Sequence, residues 1–218
     1  MSNVFLEMTM TLDGFTAGPG VSLEHPLGIG GERVHAWLSD IAAAEFELGP
    51  PHPGYGAEGA MDAAPDEVDR SAAARMFEMT GAFVLGRRTF DVGAGPWGDD
   101  GAFEGRPCFV VTSRSREPVE RGGSRFEFVT DGVAEAIVRA RAAASAASVC
   151  ILGGAEVARQ ALVSGLVDEV RLHLVPVLLG GGTRPFPDSA PRPIELEPLA
   201  VEQGALATHV RYRVLRPA

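Results

Sequence analysis

Apolar and polar positions alternate, imperfectly, from Val4 to Leu12 (VFLEMTMTL), which reads as a first strand closed by the turn pair Asp13-Gly14. Glycine and proline then crowd residues 15 to 30, a loop. From Glu32 to Glu47 the apolar positions Val34, Trp37, Leu38, Ile41 and Phe46 recur close to helical spacing. Residues 48 to 65 carry no periodicity and read as a surface excursion able to lie over a binding site. A second helix spans Asp66 to Thr80, with Val68, Ala72, Met76 and Met79 on one face. Ala82 to Leu85 is a short buried strand that runs straight into Gly86-Arg87-Arg88-Thr89-Phe90. Cys108 to Thr112 is another, followed by polar Ser113 to Arg116, and Phe126 to Val129 is a third. Asp131 to Ala147 is an alanine-rich helix with Asp131 as its N-cap. Val149 to Leu152 is a strand that stops at Gly153-Gly154, and Ala155 to Ser164 is helical. Val167 to Val177 and Ala205 to Leu215 alternate like strands, with Gly180-Gly181-Gly182 turning between them.

Short apolar strands alternating with helices predict an α/β protein of three layers, α/β/α, around a mostly parallel sheet covered on both faces. The last two strands lack an intervening helix, so an antiparallel C-terminal edge is expected. The 218 residues, 45% of them hydrophobic, suffice for one core, and one domain over residues 1–218 is expected. No apolar run approaches the roughly 18 residues that span a bilayer, and the N-terminus lacks the pattern of a signal peptide. Cys108 and Cys150 each sit inside an apolar strand and read as core thiols in a reducing compartment, so a cytoplasmic protein is expected.

Formal net charge is −10, which disfavours nucleic acid and anionic membrane as partners; a small-molecule substrate is the expected partner, as the resemblance described below implies. Positive charge that serves a polyphosphate must then be local, and arginines cluster at Arg87-Arg88 and at Arg114 and Arg116. Solvated surface charge explains any one of them equally well. In a parallel sheet the ligand crevice lies beyond the carboxyl ends of the strands. FVLGRRTF passes there from strand to helix through Gly86, Arg87, Arg88 and Thr89, where free amides, the helix dipole and side-chain donors suit a phosphate. ILGGAEVARQAL repeats the design at Gly153-Gly154, and CFVVTSR leaves Thr112, Ser113 and Arg114 at a third strand end. A tight turn with exposed arginines is the bland alternative for each. Neither G-x-G-x-x-G after a strand nor a P-loop occurs. Two glycine-assisted helix starts and a Ser/Thr/Arg strand end suggest a dinucleotide with an extra phosphate, NADP rather than NAD.

The segments MTMTLDGFTAG, VLGRRTF, PCFVVTSR, ILGGAEVARQAL and LVDEVRLHLVPVLLGGGTRPF, in this order, resemble the dihydrofolate-reductase-like superfamily. They look most like its riboflavin-biosynthesis branch, the C-terminal reductase domain of the bifunctional deaminase-reductase (RibD). The resemblance covers nearly the whole chain apart from 48–65. It implies a reductase passing hydride from NADPH to a heterocycle, similar to 5-amino-6-(5-phosphoribosylamino)uracil reductase. It places Gly86, Arg87, Arg88 and Thr89 on the pyrophosphate and 2′-phosphate, Thr112, Ser113 and Arg114 around the adenosine phosphate, and Gly153, Gly154, Ala155, Glu156 and Val157 along the pyrophosphate and nicotinamide. Thr16, Ala17 and Gly18 would close over the nicotinamide ribose, and Asp13, Thr183 and Phe186 would border the substrate. A homodimer is expected, since relatives of this type often form one.

Dihydrofolate reductase proper carries a carboxylate just before a Leu-Ala-Trp-like sequence on its first helix. This chain has Val34-His35-Ala36-Trp37 there, which counts against folate reduction, and no deaminase zinc signature is present. Dihydrofolate-type reduction and a non-catalytic nucleotide-binding protein of the same fold remain the alternatives. No proton donor can be assigned: His35 packs or caps, Trp97 packs, and Asp168-Glu169 read as solvated strand-start charges. His25, His52, His173 and His209 have no metal-ligand spacing, so no metal is expected. No Ser-His-Asp order or nucleophile elbow points to a hydrolase.

Overall fold

The computed structural model describes residues 2–45, 63–95, 97, 103–186 and 193–216, with 39–45 described by backbone alone. The expected excursion at 48–65 therefore lies almost wholly outside the described residues. One mixed sheet organises the molecule. In chain order the elements are β1 (Val4–Thr11), α1 (Glu32–Glu45), α2 (Glu67–Met79), β2 (Thr80–Gly86), α3 (Arg87–Gly93), β3 (Cys108–Val111), β4 (Val119–Arg121) and β5 (Ser124–Val129). There follow α4 (Gly132–Ala144), β6 (Ser148–Leu152), α5 (Ala155–Val163), β7 (Glu169–Val175), β8 (Leu196–Gln203) and β9 (Thr208–Val214). The sheet order is β4-β5-β3-β2-β6-β1-β7-β9-β8. The six central strands, β5 through β7, pair in parallel, while β4 and the β7-β9-β8 edge are antiparallel. The α/β class and the antiparallel C-terminal edge thus match expectation.

Side chains alternate across each strand, so the two faces are built from interleaved residues. Val4, Leu6 and Met8 of β1 pack with α4 and α5 through Ala136, Ile137, Ala158 and Ala161. Phe5 of β1 faces the other way, with Phe83, Met76 of α2 and Phe90 of α3 in a second core. The next residues on that second face are Glu7, Thr9 and Thr11, all buried. Parallel register sets Glu7 beside Arg171 and Thr9 beside His173, and antiparallel register sets His173 beside His209. A polar stripe therefore crosses the sheet beneath α1 and α2.

Several expectations need correction. Two strands went unforeseen. β4 is only three residues long, joined to β5 by Gly122-Gly123, whose positive φ values of 50° and 74° make the tight turn. β8 is an edge strand that carries Pro198 beside a register shift, tolerable because an edge residue need not donate to a ladder. Asp131 stands at the N-cap position of α4 without a side-chain cap bond, and its carboxylate instead lies 3.6 Å from Arg139. Of Asp168 and Glu169, the first is only partly solvated, accepting from Val4 N at 3.0 Å, and the second is buried, accepting from Arg171 Nε at 2.8 Å. Asp66, expected as the first residue of α2, is its N-cap in a reciprocal capping box with Asp69. Cys108 and Cys150 are free and buried, and burial raises both thiols well above their ordinary range. No described helix is long and apolar enough to cross a membrane.

Candidate functional site

A cavity of about 1010 Å³ opens beyond the carboxyl ends of the parallel strands and runs down the face under α1 and α2. Three strand-end segments meet on it. Gly86, Arg87, Arg88 and Thr89 come from β2–α3, Thr112, Ser113 and Arg114 from the end of β3, and Gly153 to Val157 from β6–α5. Two of these turns touch. Gly154 has φ +84°, and a Cβ there would sit 3.1 Å from Gly86 N. A Cβ on Gly153, φ +82°, would sit 3.2 Å from Thr89 Cγ2. Only glycine lets the two turns close on each other at these angles.

The arginines differ in their commitments. Arg87 Nε donates to both oxygens of Asp91, at 2.8 and 2.9 Å. Arg88 donates to the Val21 carbonyl, which ties α3 to the loop after β1. Exposed Arg114 has its backbone N–H bonded to Thr112 Oγ1 at 3.1 Å, and its guanidinium has no ion-pair partner among the described residues. Arg116 leans over the rings of Phe90 and Phe128 and does not line the cavity. Glu156, on the first turn of α5, accepts from Arg159 and Gln160, which hold its carboxyl at about 2.

Thr16, Ala17 and Thr183 also line the cavity, joined by an isolated bridge in which Thr183 N donates to Ala17 O and Thr16 N to Thr183 O. Gly18, Asp13 and Phe186 do not line it. Gly18 allows backbone stacking, since a Cβ there would lie 2.1 Å from Ile29 O. Asp13 accepts from Thr11 Oγ1 at 2.6 Å, Gly180 N at 2.7 Å and Leu179 N at 3.2 Å, donors that lower its carboxyl below the ordinary range. It fastens the first turn to the glycine run after β7.

The polar strand residues at the inner end of the cavity had not been singled out in the sequence as site residues. Glu7, Thr9, His35, Trp37, Met76 and His173 line it. His173 Nε2 lies 3.0 Å from Glu7 Oε1, His173 Nδ1 2.7 Å from His209 Nδ1, and His209 Nε2 3.0 Å from Asp69 Oδ1. Asp69 also accepts from Leu206 N and Ala207 N, at 3.1 and 3.3 Å. Trp37 donates from Nε1 to Thr9 Oγ1 at 3.1 Å, and its ring lies 4.6 Å from His173 and 5.2 Å from His209. His35 Nε2 bonds the Thr16 carbonyl at 3.2 Å, and burial lowers its imidazole below the ordinary range. Burial does the same to His209. The signal available in the sequence was the period of two in EMTMT and in EVRLH: it sets Glu7 and Thr9, or Arg171 and His173, on one face.

The fold and cavity define a three-layer α/β protein with a ligand site across the carboxyl ends of a parallel sheet. The chain belongs to the RibD C-terminal domain family, whose model it matches over residues 2–210. No curated protein sequence matches it. Among solved structures it is similar to a candidate riboflavin biosynthesis protein from Shewanella sp. PV-4, at 19% identity and a TM-score of 0.64 over 98% of this chain and 99% of that one. A diaminohydroxyphosphoribosylaminopyrimidine deaminase/5-amino-6-(5-phosphoribosylamino)uracil reductase from Thermotoga maritima shares 16% identity, TM-score 0.60, over 98% of this chain and 57% of that one. A pyrimidine reductase-like protein from Corynebacterium diphtheriae shares 13%, TM-score 0.58, over 99% and 93%. At these identities the likeness is one of fold.

Proposed function

We propose that this chain is an NADPH-dependent reductase of a small planar heterocycle, with 5-amino-6-(5-phosphoribosylamino)uracil, the substrate named for the Thermotoga protein, as the first compound to test. The observation that carries this reading is the meeting of three strand-end segments on one cavity, in a protein of net charge −10. The residues fit a phosphorylated dinucleotide. Gly153 and Gly154 provide backbone without side-chain bulk at the start of α5, where a pyrophosphate is favoured. Arg114 offers a guanidinium with no ion pair among the described residues for a further phosphate, and Thr16 and Ala17 line the same cavity. When bound, NADPH supplies the hydride; this chain's part is to orient the partners and exclude water.

Titration of the purified protein by NADPH fluorescence, followed by NADPH oxidation with the ribosylaminouracil, tests the reading. Micromolar NADPH binding and turnover are expected, with NADH weaker. Equal or undetectable binding of both nucleotides would refute the cofactor assignment. The same reading includes a cytoplasmic homodimer, supported by the exposed Leu196, Leu199 and Val201 on edge strand β8. Light scattering at twice the chain mass is the expected result, and a monomer at all concentrations would remove that part.

A further inference from the structure

The chain contains no lysine, so a phosphate on any ligand must find its permanent cation among 19 arginines. Three of these line the cavity, Arg87, Arg88 and Arg114, and all three belong to the strand-end segments. Arg87 is paired with Asp91, so only Arg88 and Arg114 bring charge that has no ion pair among the described residues. Two carboxylates, Asp91 and Glu156, stand on the same lining. A dinucleotide with a 2′-phosphate carries three phosphate groups. It takes up all the positive charge the cavity offers.

The rest of the described lining has no cation to give. In the inner compartment, beside Glu7 and Trp37, the polar groups are spent on one another. The proton between His173 Nε2 and Glu7 Oε1 leaves that pair without net charge, Trp37 donates to Thr9, and His35 donates to the Thr16 carbonyl. Burial keeps His35 below the ordinary range, hence uncharged at neutral pH. Elsewhere the wall that a ligand can touch is apolar: Leu38, Val92, Trp97 and Leu152 line the cavity and are all part-exposed. Arg33 and Arg184 are exposed and do not line it. Arg184, next to Thr183 at the rim, lies 4.4 Å over the Phe15 ring and donates to the Asp13 carbonyl. Of all the arginines, Arg192 alone is outside the described residues.

We infer that the substrate is held by an uncharged ring and that a phosphate on it meets no cation, so that the substrate class extends to the unphosphorylated nucleoside. This rests on the reading of the cavity as a joint cofactor and substrate site. The physical reason is the imbalance of costs. A phosphate drawn inside loses its hydration without gaining a partner, whereas an uncharged ring gains by covering the apolar wall. The phosphate of 5-amino-6-(5-phosphoribosylamino)uracil then stays in water and adds nothing to affinity.

The test compares 5-amino-6-ribosylaminouracil with its 5′-phosphate on the whole protein. Calorimetry with and without NADP⁺ reads binding free of turnover, and kcat/KM with NADPH follows. Dissociation constants within about threefold of each other are expected, and the value for the phosphate should hold between low salt and about 0.3 M salt, since no ion pair is there to be screened. One charge-assisted contact would instead favour the phosphate by about tenfold or more. Such a preference, above all one abolished by Arg184→Gln or Arg192→Gln, would overturn the inference. Displacement of NADP⁺ by the phosphate, or failure of the nucleoside to bind at millimolar concentration, would do the same. Leu38→Trp fills the apolar wall and should weaken both compounds by the same factor; a loss confined to the phosphate counts against the inference, and the wild-type comparison decides it if that variant does not fold. Failure of NADP⁺ to bind while the two uracils bind equally would strike the cofactor reading alone.

Discussion

Arg114 and Arg87 line the same cavity, yet their replacement should have different consequences. Arg114 carries no ion pair among the described residues, while Arg87 is held by Asp91 at 2.8 Å. If Arg114 meets the phosphate that distinguishes NADPH from NADH, Arg114→Gln removes one charge-assisted contact to that group only. Such bonds are worth more when buried. At an exposed position solvent screening leaves about 1–2 kcal/mol, a roughly 5- to 30-fold rise in Kd for NADPH with NADH unchanged. Arg87→Gln acts otherwise. It releases the Asp91 carboxylate at the cavity edge, which opposes the pyrophosphate common to both nucleotides, so both should weaken by similar factors. Fluorescence titrations of the two nucleotides against wild type and both variants, at one fixed low ionic strength, give the six constants needed. An equal loss of NADPH and NADH in Arg114→Gln, or no loss of either, would refute the assignment of Arg114.

Three further outcomes follow from the geometry. Gly154→Ala places a Cβ against Gly86 N at a positive φ, and should cost about 1–3 kcal/mol, seen as a Tm several degrees lower, together with weaker nucleotide binding. Asp69→Asn turns an amide NH₂ toward N–H donors of the β8–β9 turn or of α2, and should destabilise by about 2–4 kcal/mol in a denaturant titration; an unchanged midpoint would contradict the role given to Asp69. His35 and His209 are both held below the ordinary 6.5 by burial, so below that pH the unfolded chain binds protons that the folded chain does not. Their contribution is full above 6.5 and declines as pH falls through the lowered folded values. Tm should therefore drop between about pH 7 and about pH 5, and His35→Gln should flatten that slope; a Tm rising on acidification would show the sign to be wrong.

Much of the scaffold was legible because its strands are short, apolar and stopped by glycine. FVLG, CFVV and VCILGG each announce a buried parallel strand and the turn beyond it, and those turns do converge. Local signals worked less well at the edges. β8 reads LEPLAVEQ, in which a proline and exposed leucines hide a strand whose pairing comes only from β9. The polar stripe was hidden for a different reason. Glu7, His173, His209 and Asp69 are far apart in sequence, and metal-ligand spacing is a rule about neighbours on one element. What brings the two histidines to 2.7 Å is the register of β7 against β9, which no single segment encodes. Asp168 likewise looks like a solvated charge until β1 beside it supplies the Val4 N–H, and Glu169 until burial closes it on Arg171, two residues along its own strand.

A crystal structure of the complex with NADPH probes the account at its centre. The pyrophosphate should lie on Gly153, Gly154 and Ala155, the 2′-phosphate within reach of Arg114, and the nicotinamide should leave the Glu7 compartment open to a second molecule. A nucleotide bound elsewhere on the surface, or one whose nicotinamide fills that compartment, would contradict it.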